Sequence, residues 1–232
     1  MSSIKKSLIA MPLSVLALSA FTALANANTV TLEGDTITYQ YDNAANAYAL
    51  QLFGTPTIIG DGVRFLPPVF RAESLNGSGA SLLTANFIFS DVFSQSGGNI
   101  QQLEVFEFGD YEITGGGTVS ADLLLTATSN RVPYEFISDS DSFDARDVSI
   151  GLQEWSMSVA IDPAAEFTGA ADSLAVSLQN TLMASTDELG EAAWIQKKLV
   201  FKASESSNVP VPGAAWLFAT ALISIAGISR RR

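Results

Sequence analysis

The chain has 232 residues and contains neither histidine nor cysteine. These absences exclude imidazole acid–base chemistry, histidine-based triads, thiol nucleophiles, disulfides and zinc sites built on imidazole or thiolate. The formal net charge of −12 argues against nucleic acid and anionic lipid headgroups as partners.

Lys5 and Lys6 precede an apolar stretch from Leu8 to Ala25 that Pro12 interrupts. Small-residue sites follow at Ala23-Leu24-Ala25 and Ala25-Asn26-Ala27. This is the layout of a secretory signal peptide over 1–27, removed by signal peptidase to leave a mature chain from near Asn28. An uncleaved anchor is the alternative reading of the same segment.

Residues 28–203 read as one domain, with ample length for its own core. Ile37, Tyr39 and Tyr41 alternate with Thr36, Thr38 and Gln40. Val119, Ala121, Leu123 and Leu125 do the same, as do Leu174, Val176 and Leu178. A period of two is the signature of a half-buried strand. Further strands are predicted over Ala47–Phe53, Val63–Leu66, Val69–Glu73, Ala85–Phe93, Leu103–Phe108 and Ile195–Phe201. Turn residues separate them at Glu33-Gly34-Asp35, Gly60-Asp61-Gly62, Asn76-Gly77-Ser78-Gly79, Gly97-Gly98-Asn99 and Gly115-Gly116-Gly117. Asn76-Gly77-Ser78 also matches a glycosylation sequon, but an Asn-Gly turn is the better reading. The expected class is all-β, a β-sandwich or jelly roll of about ten antiparallel strands.

Two places in the domain break the regular pattern. Val148, Ile150 and Leu152 have one parity, and Trp155, Met157, Val159 and Ile161 the other. A β-bulge near Gln153-Glu154, or a strand crossing between sheets, would reconcile them. Just before lies Asp139-Ser140-Asp141-Ser142-Phe143-Asp144-Ala145-Arg146-Asp147. Calcium takes six to eight oxygen ligands, and Asp139, Asp141, Asp144 and Asp147 are candidate ligands for it, although the expectation is no cofactor. The run lacks the glycine of an EF-hand loop and contains Arg146, so a solvated acidic loop is the preferred reading.

Trp155, Trp194, Tyr134 and Phe136 are candidates for a sugar-stacking platform, although Trp155 lies on an apolar stripe and reads as core. Carboxylate-pair glycoside cleavage survives the exclusions above, but with twenty-four acids some pair will always meet the required separation. An enzyme is therefore not the expectation.

Ser204–Asn208 reads as a short linker. The last twenty-four residues, 209–232, begin Val209-Pro210-Val211-Pro212, where the two prolines impose an extended hinge. The seventeen residues Gly213–Ser229 carry no charge and end on Arg230-Arg231-Arg232. A helix of that length spans roughly 25 Å, slightly short of a hydrocarbon core. Trp216 suits one membrane interface and the three arginines hold the other end on the cytoplasmic side. The predicted layout is thus a signal helix, a β domain and a transmembrane helix over 213–229. Setting both ends aside leaves seven basic residues against all twenty-four acids, a charge of −17 on the exported part.

This tail resembles the PEP-CTERM sorting signal recognised by exosortases. Val209-Pro210-Val211-Pro212 matches its Val-Pro-x-Pro form, and Trp216-Leu217-Phe218 matches the usual continuation. Val211 stands where the family name calls for glutamate. Leu52–Asn76, with Phe53-Gly54-Thr55-Pro56 and Phe70-Arg71-Ala72-Glu73-Ser74-Leu75-Asn76, also resembles stretches in proteins of this sorting class; that implies a shared fold and no activity. The resemblance implies an inner-membrane intermediate processed by an exosortase-type enzyme near Pro210–Pro212. It further implies a destination at the cell surface or in the extracellular matrix of a Gram-negative bacterium that makes exopolysaccharide. A structural or adhesive, biofilm-related role is the leading expectation. A carbohydrate-binding jelly roll, with or without calcium, is the second, and a carboxylate glycosidase the third.

Overall fold

A computed structural model describes residues 28–146 and 151–205. The signal segment, the linker from Ser206 onward and the whole sorting tail lie outside the described residues, as does Asp147. In chain order the elements are β1 (Thr29–Glu33), β2 (Ile37–Asp42), α1 (Ala47–Phe53), β3 (Thr57–Ile59), β4 (Gly62–Phe65), β5 (Arg71–Leu75), β6 (Gly79–Ser94), β7 (Ile100–Thr114), β8 (Thr118–Ser129), β9 (Phe136–Arg146), β10 (Gln153–Ile161), α2 (Pro163–Glu166), β11 (Ser173–Thr186) and β12 (Ala192–Glu205).

The strands form two antiparallel sheets. The first has the order β1-β2-β6-β11-β8-β9, and the second β10-β7-β12-β4-β3 with β5 also paired to β12. One buried cluster draws side chains from both, including Tyr39, Phe87, Phe89, Leu123 and Leu178 from the first and Phe65, Val105, Ile195 and Phe201 from the second. Aromatic rings fill its centre: Phe65 and Phe87 have centroids 4.9 Å apart, and Phe89 stacks on Phe201 at 5.5 Å. Such pairs add to what burial alone contributes, since each ring removes a large apolar area from water.

The all-β expectation is met, with twelve strands among the described residues rather than about ten. The predicted turns fall where expected. At Asn76-Gly77 both residues have positive φ (53° and 71°), and Ser78 N–H donates to the Leu75 carbonyl at 3.1 Å. This closes a tight turn that carries the chain from β5 in the second sheet to β6 in the first.

Several boundaries differ from those expected of the sequence. Ala47–Phe53 is a helix, not a strand: Ala49, Leu52 and Phe53 are its buried residues, a three- and four-residue spacing. The Asn46 side chain ties its start to β6, donating to the Ile88 carbonyl at 2.9 Å and accepting from Ile88 N–H at 2.7 Å. The amide thereby occupies the edge that a neighbouring strand would pair. The acidic run is not a loop: Asp139–Arg146 belongs to β9, paired throughout to β8. β12 continues through Ser204 to Glu205, so the linker cannot begin at Ser204.

Of the phase change, Val148 and Ile150 lie outside the described residues, while Trp155, Met157, Val159 and Ile161 form the buried stripe of β10. β9 is an edge of the first sheet and β10 an edge of the second, so the chain changes sheet between Arg146 and Gln153. The register of β10 on β7 is unbroken at Gln153 and Glu154, and the bulge suggested there is absent. The chain crosses between sheets instead.

Candidate functional site

The sorting residues Val209, Pro210, Val211 and Pro212 and the end anchors Trp216, Arg230, Arg231 and Arg232 lie outside the described residues. No described helix is long and apolar enough to cross a membrane.

Alternation along β9 divides the calcium candidates. Asp139 and Asp141 pair with the buried Leu125 and Leu123, and so share the core-facing side of the sheet at its rim. Asp144 pairs with Ser120 on the opposite face. Asp141 Oδ2 accepts a hydrogen bond from Ser158 N–H of β10 at 3.1 Å, bridging the edges of the two sheets. Among the described residues no group of three or more acidic side chains is placed to share a metal ion.

The aromatic candidates are dispersed as well. Trp155 is buried, stacks on Phe143 at 5.7 Å and donates its indole N–H to the Gln196 carbonyl at 3.1 Å. Trp194 packs under the Arg71 guanidinium at 4.0 Å, while Tyr134 and Phe136 are exposed. Among the described residues no ring contact joins any two of the four. A different aromatic pair, Phe106 and Phe108, lies 5.7 Å apart on the outer face of β7 and lines a shallow depression with Glu154, Ser156 and Lys198.

The chemically unusual place is inside. Three strands carry inward stripes with one polar residue each: Leu103, Val105 and Glu107 on β7; Ile195, Lys197, Leu199 and Phe201 on β12; Val176, Leu178, Asn180 and Leu182 on β11. The period of two directs Glu107, Lys197 and Asn180 into the core as firmly as their apolar neighbours. Lys197 Nζ lies 2.5 Å from Glu107 Oε1, with the two side chains 0% and 1% exposed. It also donates to Asn180 Oδ1 of the opposite sheet. The ammonium sits against two rings, 4.0 Å from the centroid of Phe70 and 4.8 Å from that of Phe53, which α1 delivers. Asn180 Nδ2 is turned away and donates to the Gln179 carbonyl at 2.9 Å. Glu107 Oε2 is buried with no hydrogen-bond partner among the described residues.

Burial dominates the electrostatics of this cluster. Desolvation pulls the Lys197 amine down to about 8, although the Glu107 charge and hydrogen bond work the other way. Desolvation likewise pushes the Glu107 carboxyl above its ordinary range, against the pull of Lys197. Both shifts favour the same change, transfer of the proton from nitrogen to oxygen.

An opening in the second sheet lies beside Lys197, on the side of β12 away from β7. β5 covers β12 as far as Gln196 and β4 resumes at Leu199, so Lys197 and Lys198 have no partner on that side among the described strands. Pro67 and Pro68 fall in this interval, where a missing N–H could not continue the ladder. They line a pocket of about 350 Å³ together with Phe70, Gly109 and Lys197. Gly109 faces Lys197 across the strands, and a Cβ there would collide with the Gln196 carbonyl.

None of these three polar residues stands out in the sequence as a site. The available signal was a charged or amide side chain in phase with an apolar stripe on each of three strands.

These features define an acidic, two-sheet antiparallel β protein whose sheets meet through a buried lysine, glutamate and asparagine. No protein-family model matches the chain, and no curated protein matches it either.

Proposed function

We propose that the chain is an exported structural module of the cell surface or extracellular matrix, a β-sandwich carried out by its signal peptide and released by an exosortase-type enzyme. The observation that carries this reading is the pairing of ends around one acidic domain: a signal segment over 1–27, and a proline hinge, apolar run and Arg230-Arg231-Arg232 at the other terminus. The interior is consistent with a load-bearing role. β6, β7, β11 and β12 run 14 to 16 residues each, and the central charged contact joins one sheet to the other. A charge of −17 outside the terminal segments favours solubility in an extracellular setting.

Mass spectrometry of the intact protein from cell-surface material tests the proposal. The expected species begins near Asn28 and ends before Trp216. Protein that still carries Arg232 would refute processing. The same material separates a second reading, glycan binding, which the Phe106–Phe108 depression favours: retention on isolated matrix polysaccharide that Phe106→Ala abolishes would replace a structural role with a binding one.

A further inference from the structure

We propose that Lys197 and Asn180 condense into an intramolecular amide bond joining the two sheets, with Glu107 carrying the protons. The inference rests on the buried cluster alone and stands whether or not the chain is sorted.

Three conditions must coincide for an amine to displace ammonia from a side-chain amide, and the cluster meets each. The first is a nucleophile in its neutral form. Lys197 is fully buried beside a carboxylate, and desolvation favours moving its proton onto Glu107. The second is proximity. Nζ and the Asn180 carbonyl oxygen are in direct contact, held by strands of facing sheets with the rings of Phe53 and Phe70 behind the amine. Fixing two such groups converts a very slow bimolecular reaction into an intramolecular one, with a large gain in effective concentration. The third is a proton carrier bonded to the amine, with a second oxygen left over for the amide once Asn180 Nδ2 turns from the Gln179 carbonyl. Glu107 Oε1 is bonded to Nζ, and Oε2 is free and buried beside it.

The atoms balance without any further reactant. Lys197 passes one ammonium proton to Glu107, and the neutral Nζ adds to Cγ of Asn180. The Glu107 O–H hydrogen-bonds to the oxygen as it becomes anionic. A second Nζ proton is relayed through the carboxyl to Nδ2, the C–Nδ2 bond breaks and ammonia leaves. An ammonium, a carboxylate and a primary amide become a secondary amide, a carboxylic acid and ammonia, with no change of oxidation state. The pocket beside Pro67 and Pro68 reaches Lys197, and the leaving ammonia is proposed to escape past the amine by that route.

The bond would close a short loop. Asn180 and Lys197 are 17 residues apart, and the enclosed segment is the turn from β11 to β12. Unlike a disulfide it needs no cysteine and is indifferent to reductant, in a chain that has no cysteine.

Peptide mapping of the full chain, isolated folded and then denatured, decides the matter. Cleavage after glutamate releases 167–188, which contains Asn180, and 192–205, which contains Lys197. The expected result is that these two fragments remain joined, lighter than their sum by one ammonia. In Glu107→Gln they should separate at their full sequence masses. Separate wild-type fragments would overturn the proposal. So would a loss of ammonia from 167–188 without joining, which is what a succinimide at Asn180 would produce. Joined fragments in folded Glu107→Gln would remove the role given to the carboxyl. Should that variant fail to fold, the wild-type fragments still decide whether the bond forms: joined they support it, separate they exclude it.

Discussion

The centre and the rim of this domain both place charged side chains on the core-facing side of a strand, and they do opposite things. At the centre, Glu107 and Lys197 are buried and paired with each other, and Lys197 also donates to Asn180. At the rim, Asp139 and Asp141 occupy inward positions of an edge strand yet remain exposed, because β9 has no neighbour beyond it. An inward-pointing charge on an edge strand disfavours pairing with another chain, and Asp141 additionally occupies a free N–H of β10. The same alternation code therefore yields a buried reactive pair in one place and a protected edge in the other. Position in the sheet, rather than residue type, decides which.

The sharpest way to break the comparison is to remove one charge from each region. Lys197→Met leaves Glu107 without a partner in the core, and a lone buried charge costs about 3–5 kcal/mol. The amide cross-link would be lost as well. Urea unfolding should show a large drop in midpoint. Replacing the whole cluster, as Lys197→Met with Glu107→Leu and Asn180→Leu, should recover much of that loss, because apolar packing often matches a buried ion pair. A single variant as stable as wild type would show that the centre behaves like the rim.

Titration sharpens the contrast further in a chain whose cross-link is blocked by Asn180→Ala. There Lys197 remains an amine with a folded value of about 8 against 10.5 for the free side chain. Between those values the unfolded chain binds more protons than the native one, so the contribution of this group to stability rises with pH across the window. Below about 8 both states are protonated and the full desolvation cost remains. Glu107 works in the opposite sense: its raised value makes the native state bind more protons just above the ordinary carboxylate range, so its contribution falls as pH rises there. Cross-linked wild type has no Lys197 ammonium and should lack the alkaline rise. Chemical denaturation from about pH 7.5 to about pH 10.5, run on both chains, makes the comparison, since that range brackets the two values. Parallel curves would show that Lys197 titrates in both.

Much of the fold was legible in the sequence because period-two stripes and glycine turns are local signals. Ile37-x-Tyr39-x-Tyr41 and Asn76-Gly77 are read within a few residues. Ala47–Phe53 was misread because Ala49, Leu52 and Phe53 in seven residues give too little sequence to separate a helix from a strand. β9 was misread because the alternating Asp and Ser of an edge strand supply no apolar stripe to count. The buried cluster was invisible for a different reason. Each polar residue stood in phase with a core stripe, but that Glu107 meets Lys197 depends on two strands 90 residues apart lying side by side. That Asn180 meets Lys197 depends on how the sheets face one another, which no local pattern encodes.

The smallest effect is expected at the rim. Asp141→Ala removes the acceptor for Ser158 N–H but leaves that group able to bond water, since both edges are open to solvent. Stability should fall by no more than about 1 kcal/mol, the net worth of a single exposed hydrogen bond. The larger consequence is for association: with the inward charge gone, β9 keeps Asp139 alone beside Ile137 and Phe143 on that face and becomes a better template for a second strand. Sedimentation at rising protein concentration should show self-association in Asp141→Ala with little change in melting temperature. If instead the melting temperature falls as far as in Lys197→Met and the protein stays monomeric, the Asp141 bridge holds the sheets together in the way the central pair does, and the distinction between guarding an edge and joining the sheets disappears.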